Sequence, residues 1–191
     1  MRLFVAIFPP PDVIACLTDA VLTVAGGLPR GSVAWTAPEQ VHLTLNFLDA
    51  VAAGSIGELE TVLEGVCRTA QAHRLRARGL GCFPGTNRPR ILWAGLDGPP
   101  PALASLKGTL DNSLTPLGYR PEERAFHPHL TLGRVKELRA GDRPPLARAL
   151  RELREADFGQ WTARRVDLMR SVLTPGGACY SIVRSFALAG H

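Results

Sequence analysis

The tetrapeptide HLTL occurs twice, starting at His42 and again at His129, 87 residues apart. The segments around it keep nearly the same offset. The apolar run at 3–8 (LFVAIF) is echoed at 90–96 (RILWAGL), and the strand-like stretch at 74–82 by one near 162–173. An offset shared by a motif and by its flanking strands points to a duplicated β-α-β-α-β unit. The units cover about residues 2–83 and 89–175, with one further strand at 178–188. Two α/β halves can look alike by coincidence, but an identical tetrapeptide in the same register is a stronger sign of duplication.

Local signals fill in the units. The prolines at 9–11 close the first run, and Asp12 is placed to cap a helix over 12–25 that Gly26 and Gly27 end. Residues 41–48 alternate as a strand, and 54–73 read as a helix. The second unit has its first strand at 90–96, closed by Gly98 and the prolines at 99–101. Helices at 102–117 and 145–156 flank a strand over 125–135. The expected fold class is therefore α+β in a single domain: two pseudo-symmetric lobes, each a β-sheet with two outer helices. The two motifs then face each other across a central cleft.

On a strand, residues i and i+2 share a face. His42 and Thr44 project together, with Leu43 and Leu45 behind them in a core; His129 and Thr131 do the same, backed by Leu130 and Leu132. An imidazole with an ordinary pKa near 6.5 can be neutral in one copy and protonated in the other. The neutral ring can take a proton from water, and the charged ring can give one to a leaving oxygen. The two hydroxyls can hold the non-bridging oxygens of a phosphate between them. No metal, cofactor or nucleophilic side chain is needed. One HxT is more often a structural polar pair at a sheet surface; two arise by chance in roughly 2% of chains with this many threonines.

Composition narrows the field further. The net charge is +5, and of 22 basic residues only Lys107 and Lys136 are lysines. Arginine matches phosphate through a planar fork, so an anionic partner is compatible, although a GC-rich genome writes a similar composition. At 46% hydrophobic and 20% charged residues the chain can bury a core rather than stay disordered. It lacks the run of about 18 apolar residues that a membrane-spanning helix needs. The opening MRLFVAIFPPPD is too short and abrupt for a signal peptide, so a cytoplasmic location is expected. The four cysteines form no CxxC pair and fit neither a zinc site nor a disulfide framework. GxGxxG, P-loop and GxSxG patterns are missing, and the scattered acidic residues do not suit a two-metal nuclease.

Two HxTx motifs at this spacing resemble the 2H phosphoesterases. The chain is most similar to their bacterial and archaeal RNA 2′,3′-cyclic phosphodiesterase branch, also called 2′-5′ RNA ligases. The resemblance spans nearly the full length: the opening LFVAI, Trp35, HLTLNFL at 42–48, GCFP at 81–84, PRILWAGL at 89–96, FHPHLTLGR at 126–134 and SVLTPGGACYSIV at 171–183. It implies metal-independent hydrolysis of an RNA 2′,3′-cyclic phosphate end to a 2′-phosphomonoester. By motif position His42 is the proton donor to the leaving 3′ oxygen, His129 is the proton acceptor from water, and Thr44 and Thr131 hold the phosphate. Part of the family also joins or cleaves 2′-5′ linkages with the same pair. One departure stands out: the family often continues its first motif with Arg-Phe-Leu-Gly, whereas this chain has Asn46-Phe47-Leu48-Asp49. An arginine is thus missing at 46, on the face that strict alternation gives to His42.

Further substrate-binding candidates surround the motifs. Arg134 matches the arginine of the family's HxTxxR pattern, yet strict alternation turns it away from His129, so contact requires a strand end or a bulge. His127 shares a face with His129, and Pro128 between them marks an irregular strand beginning. Phe83, Trp93, Tyr180 and Trp35 are candidates to stack on a base, with core packing the competing role for each. Arg88 and Arg90 are placed to guide RNA, with a solvated surface the simpler reading. The glycines at 79, 81, 176 and 177 read as turn or bulge material. The expected partner is RNA with a 2′,3′-cyclic phosphate end, met by a monomer. Competing functions are a cyclic phosphodiesterase of a small nucleotide, such as an ADP-ribose cyclic phosphate, and a non-catalytic RNA-binding module. A basic cleft mouth favours RNA; a short closed pocket favours the small substrate.

Overall fold

The computed structural model describes residues 1–97, 101–174 and 177–190. The first unit contributes β1 (Arg2–Ile7), α1 (Pro11–Gly26), a short β2 (Val33–Trp35), β3 (Leu43–Ala50), α2 (Ile56–Thr69) and β4 (His73–Phe83). The second contributes β5 (Ile91–Leu96), α3 (Pro101–Leu114), β6 (His129–Val135), α4 (Arg143–Glu152), β7 (Asp157–Ala163) and β8 (Arg165–Thr174), and β9 (Gly177–Ala187) is the further strand. The expectations for Gly98, Pro99, Pro100 and Gly176 lie outside the described residues.

Each helix buries one stripe of its surface. Val13, Leu17, Ala20 and Val24 recur at helical spacing on α1; Leu103, Leu106, Leu110 and Leu114 do so on α3. Asp12 does not cap α1. Pro10 holds the N-cap position without a side-chain bond, Pro11 opens the helix, and Asp12 sits in the first turn, where its charge meets the positive end of the helix dipole.

Among the described residues one antiparallel sheet of nine strands runs β7-β4-β5-β6-β3-β1-β8-β9, with β2 added on β6. Its centre is the β6–β3 contact, where Leu130 pairs with Leu43. Outward from there, β6-β5-β4-β7 and β3-β1-β8-β9 form two matching lobes. Helices α1 and α4 pack on the first, α2 and α3 on the second, so each lobe has two helices as expected. The lobes are not the sequence units, however. Each unit sends its fourth strand, β4 or β8, into the other lobe. The short link from Phe83 to Ile91 makes β4 and β5 a hairpin, and β4 stays with its hairpin partner.

The stretch near 162–173 is correspondingly two strands. Arg164 separates β7 from β8, and the two belong to different lobes. Both fit because the sheet curls until its outer ends approach. There Leu188 N–H donates to the Arg164 carbonyl, Ala72 N–H to Ala189, and Gln71 bridges Ala189.

The main core lies between the sheet and the four helices. Phe4, Ala6 and Met169 form a separate small cluster with Phe8 and Tyr180 on the opposite, cleft-facing side. Among the described residues no helix is long and apolar enough to cross a membrane.

Candidate active site

The motifs meet at the seam of the sheet. Leu43 and Leu130 are 1% and 0% exposed and pair directly across it, facing the core. In an antiparallel pair this register sets His42 beside Thr131 and Thr44 beside His129 on the cleft side. All four side chains named from the sequence are thereby brought together.

Both imidazoles are anchored alike. His42 Nδ1 lies 2.6 Å from the Gln40 carbonyl, and His129 Nδ1 lies 2.7 Å from the His127 carbonyl. A carbonyl only accepts, so Nδ1 carries the hydrogen in each ring, and Nε2 is left for a ligand. Gln40 is itself tied down, its Nε2 donating to the Ala178 carbonyl at 2.8 Å. His73 makes the same i−2 bond to Gln71 where the sheet ends approach, but its Nε2 is buried without a partner. The anchor is thus a backbone device of such strands; what distinguishes the pair is the shared cleft.

The rings sit in different surroundings. His42 stacks on Phe4 at 4.8 Å between centroids, with Phe8 at 5.4 Å and Tyr180 edge-on at 5.5 Å. Burial lowers its pKa below the ordinary 6.5; the Gln40 carbonyl opposes this, and the charge of His129 adds to it. His129 meets Phe83 edge-on at 5.1 Å, with Trp93 at 5.1 Å from Phe83.

Two bulges decide which neighbours reach the cleft. On β6, Leu92 pairs with Gly133 but Trp93 pairs with Thr131, so Leu132 is extra. Gly133 and Val135 then face the core, and Arg134 rejoins the face of Thr131. This supplies the bulge that strict alternation required. On β3, Val5 pairs with Asn46 but Ala6 pairs with Thr44, so Leu45 is extra. Asn46 consequently turns inward, 9% exposed, and donates to Asp111 of α3 at 2.7 Å. The expectation that position 46 shares the face of His42 is corrected: Phe47, not residue 46, returns to the cleft side, 54% exposed.

Of the other candidates, Tyr180 and Phe83 lie against the two histidines. His127 precedes β6 and is exposed, its carbonyl bonding His129. Trp35 does not reach the cleft. It belongs to β2 and packs into the core with Val21, Val24, Leu132 and Leu150, over Gly133, where a Cβ would crowd its ring. Trp93 lies flat beside Gly81, where a Cβ would collide with the indole. Gly79 is the bulge glycine, at φ +70° with the Arg154 carbonyl against it.

Sequence reasoning missed Phe4, Phe8 and Asp167. Phe4 and Ala6 on β1 and Phe8 just beyond its end sit at alternate positions, but an unbroken apolar run hides which of its residues line a cleft. Asp167 is fully buried opposite Ala6 on β8; it accepts from Ser185 Oγ at 2.5 Å and lies 3.3 Å from Arg165. No sequence signal marked it. Among the described residues no three His, Cys, Asp or Glu side chains gather in metal-binding geometry.

The family described as LigT like Phosphoesterase matches residues 7–93 and again 96–180. A protein of Methanothermobacter thermautotrophicus named RNA 2′,3′-cyclic phosphodiesterase is 36% identical over 151 residues, 79% of this chain and 80% of that one. A protein of the same name from Archaeoglobus fulgidus is 33% identical over 97% of this chain and 99% of its own. Among solved structures, TT0787 of Thermus thermophilus superposes with a TM-score of 0.82 at 28% identity, covering 98% of both chains. E. coli LigT complexed with 3′-AMP gives a TM-score of 0.77 at 23% identity, over 99% of this chain and 98% of its own, a likeness of fold.

Proposed function

The chain belongs to the LigT-like phosphoesterases of the 2H superfamily, and on that premise we propose that it hydrolyses RNA 2′,3′-cyclic phosphate ends to 2′-phosphomonoesters with two histidines and no metal. The observation that carries this reading is the direct pairing of the motifs at Leu43 and Leu130. It gathers two imidazoles, both anchored through Nδ1, and two hydroxyls around one cleft.

In the proposed reaction His129 Nε2 takes a proton from water as the water oxygen attacks phosphorus. The bond from phosphorus to the 3′ oxygen breaks, and His42 Nε2–H protonates that oxygen. Thr44, Thr131 and Arg134 stabilise the charge on the non-bridging oxygens. A 5′-hydroxyl in place of water yields a 2′-5′ linkage by the same proton transfers. Tyr180 and Phe83 are placed to stack on a base near either histidine. The lowered pKa of His42 favours its neutral form in the free protein. The donor role therefore draws on the bound phosphate, whose negative charge stabilises the imidazolium.

Incubating a short RNA ending in a 2′,3′-cyclic phosphate with the protein in EDTA tests this. The expected product is a 2′-phosphate, with the rate reduced about 10²–10⁴-fold in both His42→Ala and His129→Ala. A 3′-phosphate product overturns the proposed orientation. Wild-type activity that survives either substitution overturns the two-histidine mechanism.

A further inference from the structure

A groove of about 510 Å³ opens beside Arg134, at the end of β5 and β6 in the lobe of His129. It is lined by Arg88, Arg90, Arg134, Lys136 and Arg143 around an apolar floor that includes Ile91 and Leu138. Among the described residues no acidic side chain lines it. Among the same residues none of these five cations makes an ion pair; ten other arginines are unpaired too, so what sets these five apart is their clustering around one concavity. Five like charges around one concavity repel each other, a cost that an anion removes.

The placement follows from the fold. The bulge at Leu132 turns Arg134 toward the cleft, and the hairpin link holds Arg90 alongside through Arg90 N–H to Phe83 carbonyl and Val135 N–H to Arg90 carbonyl bonds, with Arg88 N–H bonded to the Gly85 carbonyl within the link. Arg134 lies three residues beyond Thr131, at the edge shared by the reacting phosphate and the groove, and Arg88, Arg90, Lys136 and Arg143 continue the positive surface away from it. The equivalent place in the other lobe holds Phe47, which has no charge.

We propose that this groove is a second phosphate subsite that holds the phosphodiester backbone of the RNA beyond its reacting end. The inference rests on the proposed RNA chemistry and adds where the strand runs: along the lobe of His129, over a basic groove with an apolar floor. A mononucleotide occupies only the space between the histidines, while an oligonucleotide also fills the groove. Apart from Arg134, which the reacting phosphate shares, the groove therefore acts on substrate affinity and leaves the chemical step alone.

The test compares an oligoribonucleotide bearing a 2′,3′-cyclic phosphate with the matching nucleoside 2′,3′-cyclic monophosphate. The variants are Arg88→Ala/Arg143→Ala and Lys136→Ala, all outside the reacting centre. The double variant is expected to lower kcat/KM for the oligonucleotide at least about tenfold, through KM, and to flatten its salt dependence. Hydrolysis of the mononucleotide stays within about twofold, which also shows that the variant is folded. An unchanged oligonucleotide KM, or equal losses on both substrates, overturns the proposal. If the wild type hydrolyses neither substrate, the phosphodiesterase reading fails by itself. Fluorescence anisotropy with a labelled oligoribonucleotide then decides: binding lost in the double variant supports the groove, and binding absent or unchanged overturns it.

Discussion

The lobe of His42 and the lobe of His129 share a backbone plan and differ in nearly everything around it. Each presents an imidazole, held by a carbonyl two residues back, beside a threonine, and each has a bulge three residues after its histidine. Beyond that row they part. His42 lies among Phe4, Phe8 and Tyr180, with exposed Phe47 and Ile182 further out on the same face. His129 has Phe83 and Trp93 on one side and Arg134 with its basic groove on the other. The difference teaches how a duplicated site acquires direction. Pseudo-symmetry alone presents a ligand with two equivalent histidines; under the proposed function, an apolar lobe facing a cationic one gives the substrate only one favourable way in.

The largest effect expected from probing that comparison is on the fold, where the lobes are equivalent. Leu43→Ala and Leu130→Ala each remove a fully buried side chain at the seam, and each is expected to cost about 2–5 kcal/mol by chemical denaturation. Losses that differ by more than the range of such substitutions break the equivalence.

Next in size is the charge asymmetry. Arg134→Ala is expected to lower kcat/KM roughly 10–100-fold, the worth of a charge-assisted hydrogen bond to phosphate. Moving the guanidinium to the matching place, with Arg134→Phe and Phe47→Arg together, does not restore the rate if the lobes hold different parts of the substrate. Recovery in the swapped enzyme would show that the cleft has no preferred direction.

The smallest effect is the titration of His42, read by NMR. His42 titrates below the ordinary 6.5, and Phe4→Ala raises it toward that value by letting water reach the ring. The sign for stability follows. A histidine whose folded pKa is depressed contributes stability that is full above the unfolded value near 6.5 and is lost as pH falls through the folded one. Phe4→Ala therefore weakens the acid-side pH dependence of unfolding that belongs to His42. An unshifted His42 in the variant would mean that burial by Phe4 is not what lowers it.

Much of the site was legible because it follows from a local rule. Alternation on a strand puts His42 with Thr44 and His129 with Thr131, and repetition at a fixed offset implies that the two rows meet. The aromatic partners were half legible: Tyr180 and Phe83 reach the histidines, whereas Trp35, read as a loop residue, turned out to complete the core under α1 and α4. A tryptophan in a polar stretch carries no sign of which side of a sheet it will cover. Phe4 and Phe8 were obscured for the opposite reason, since a run that is apolar at every position has no visible face.

The sequence by itself determined the row of histidines and hydroxyls, the duplication and the class of fold, because residue type and period-2 spacing act over a few bonds. Only the tertiary structure decided the rest. The extra residues Leu45 and Leu132 reverse the alternation that follows them, sending Asn46 into the core and Arg134 into the cleft. The hairpins decide that β4 and β8 change lobes. Bulges and strand partners are set by register between segments far apart in the chain, where packing against α1 to α4 selects among pairings that the local pattern leaves equivalent.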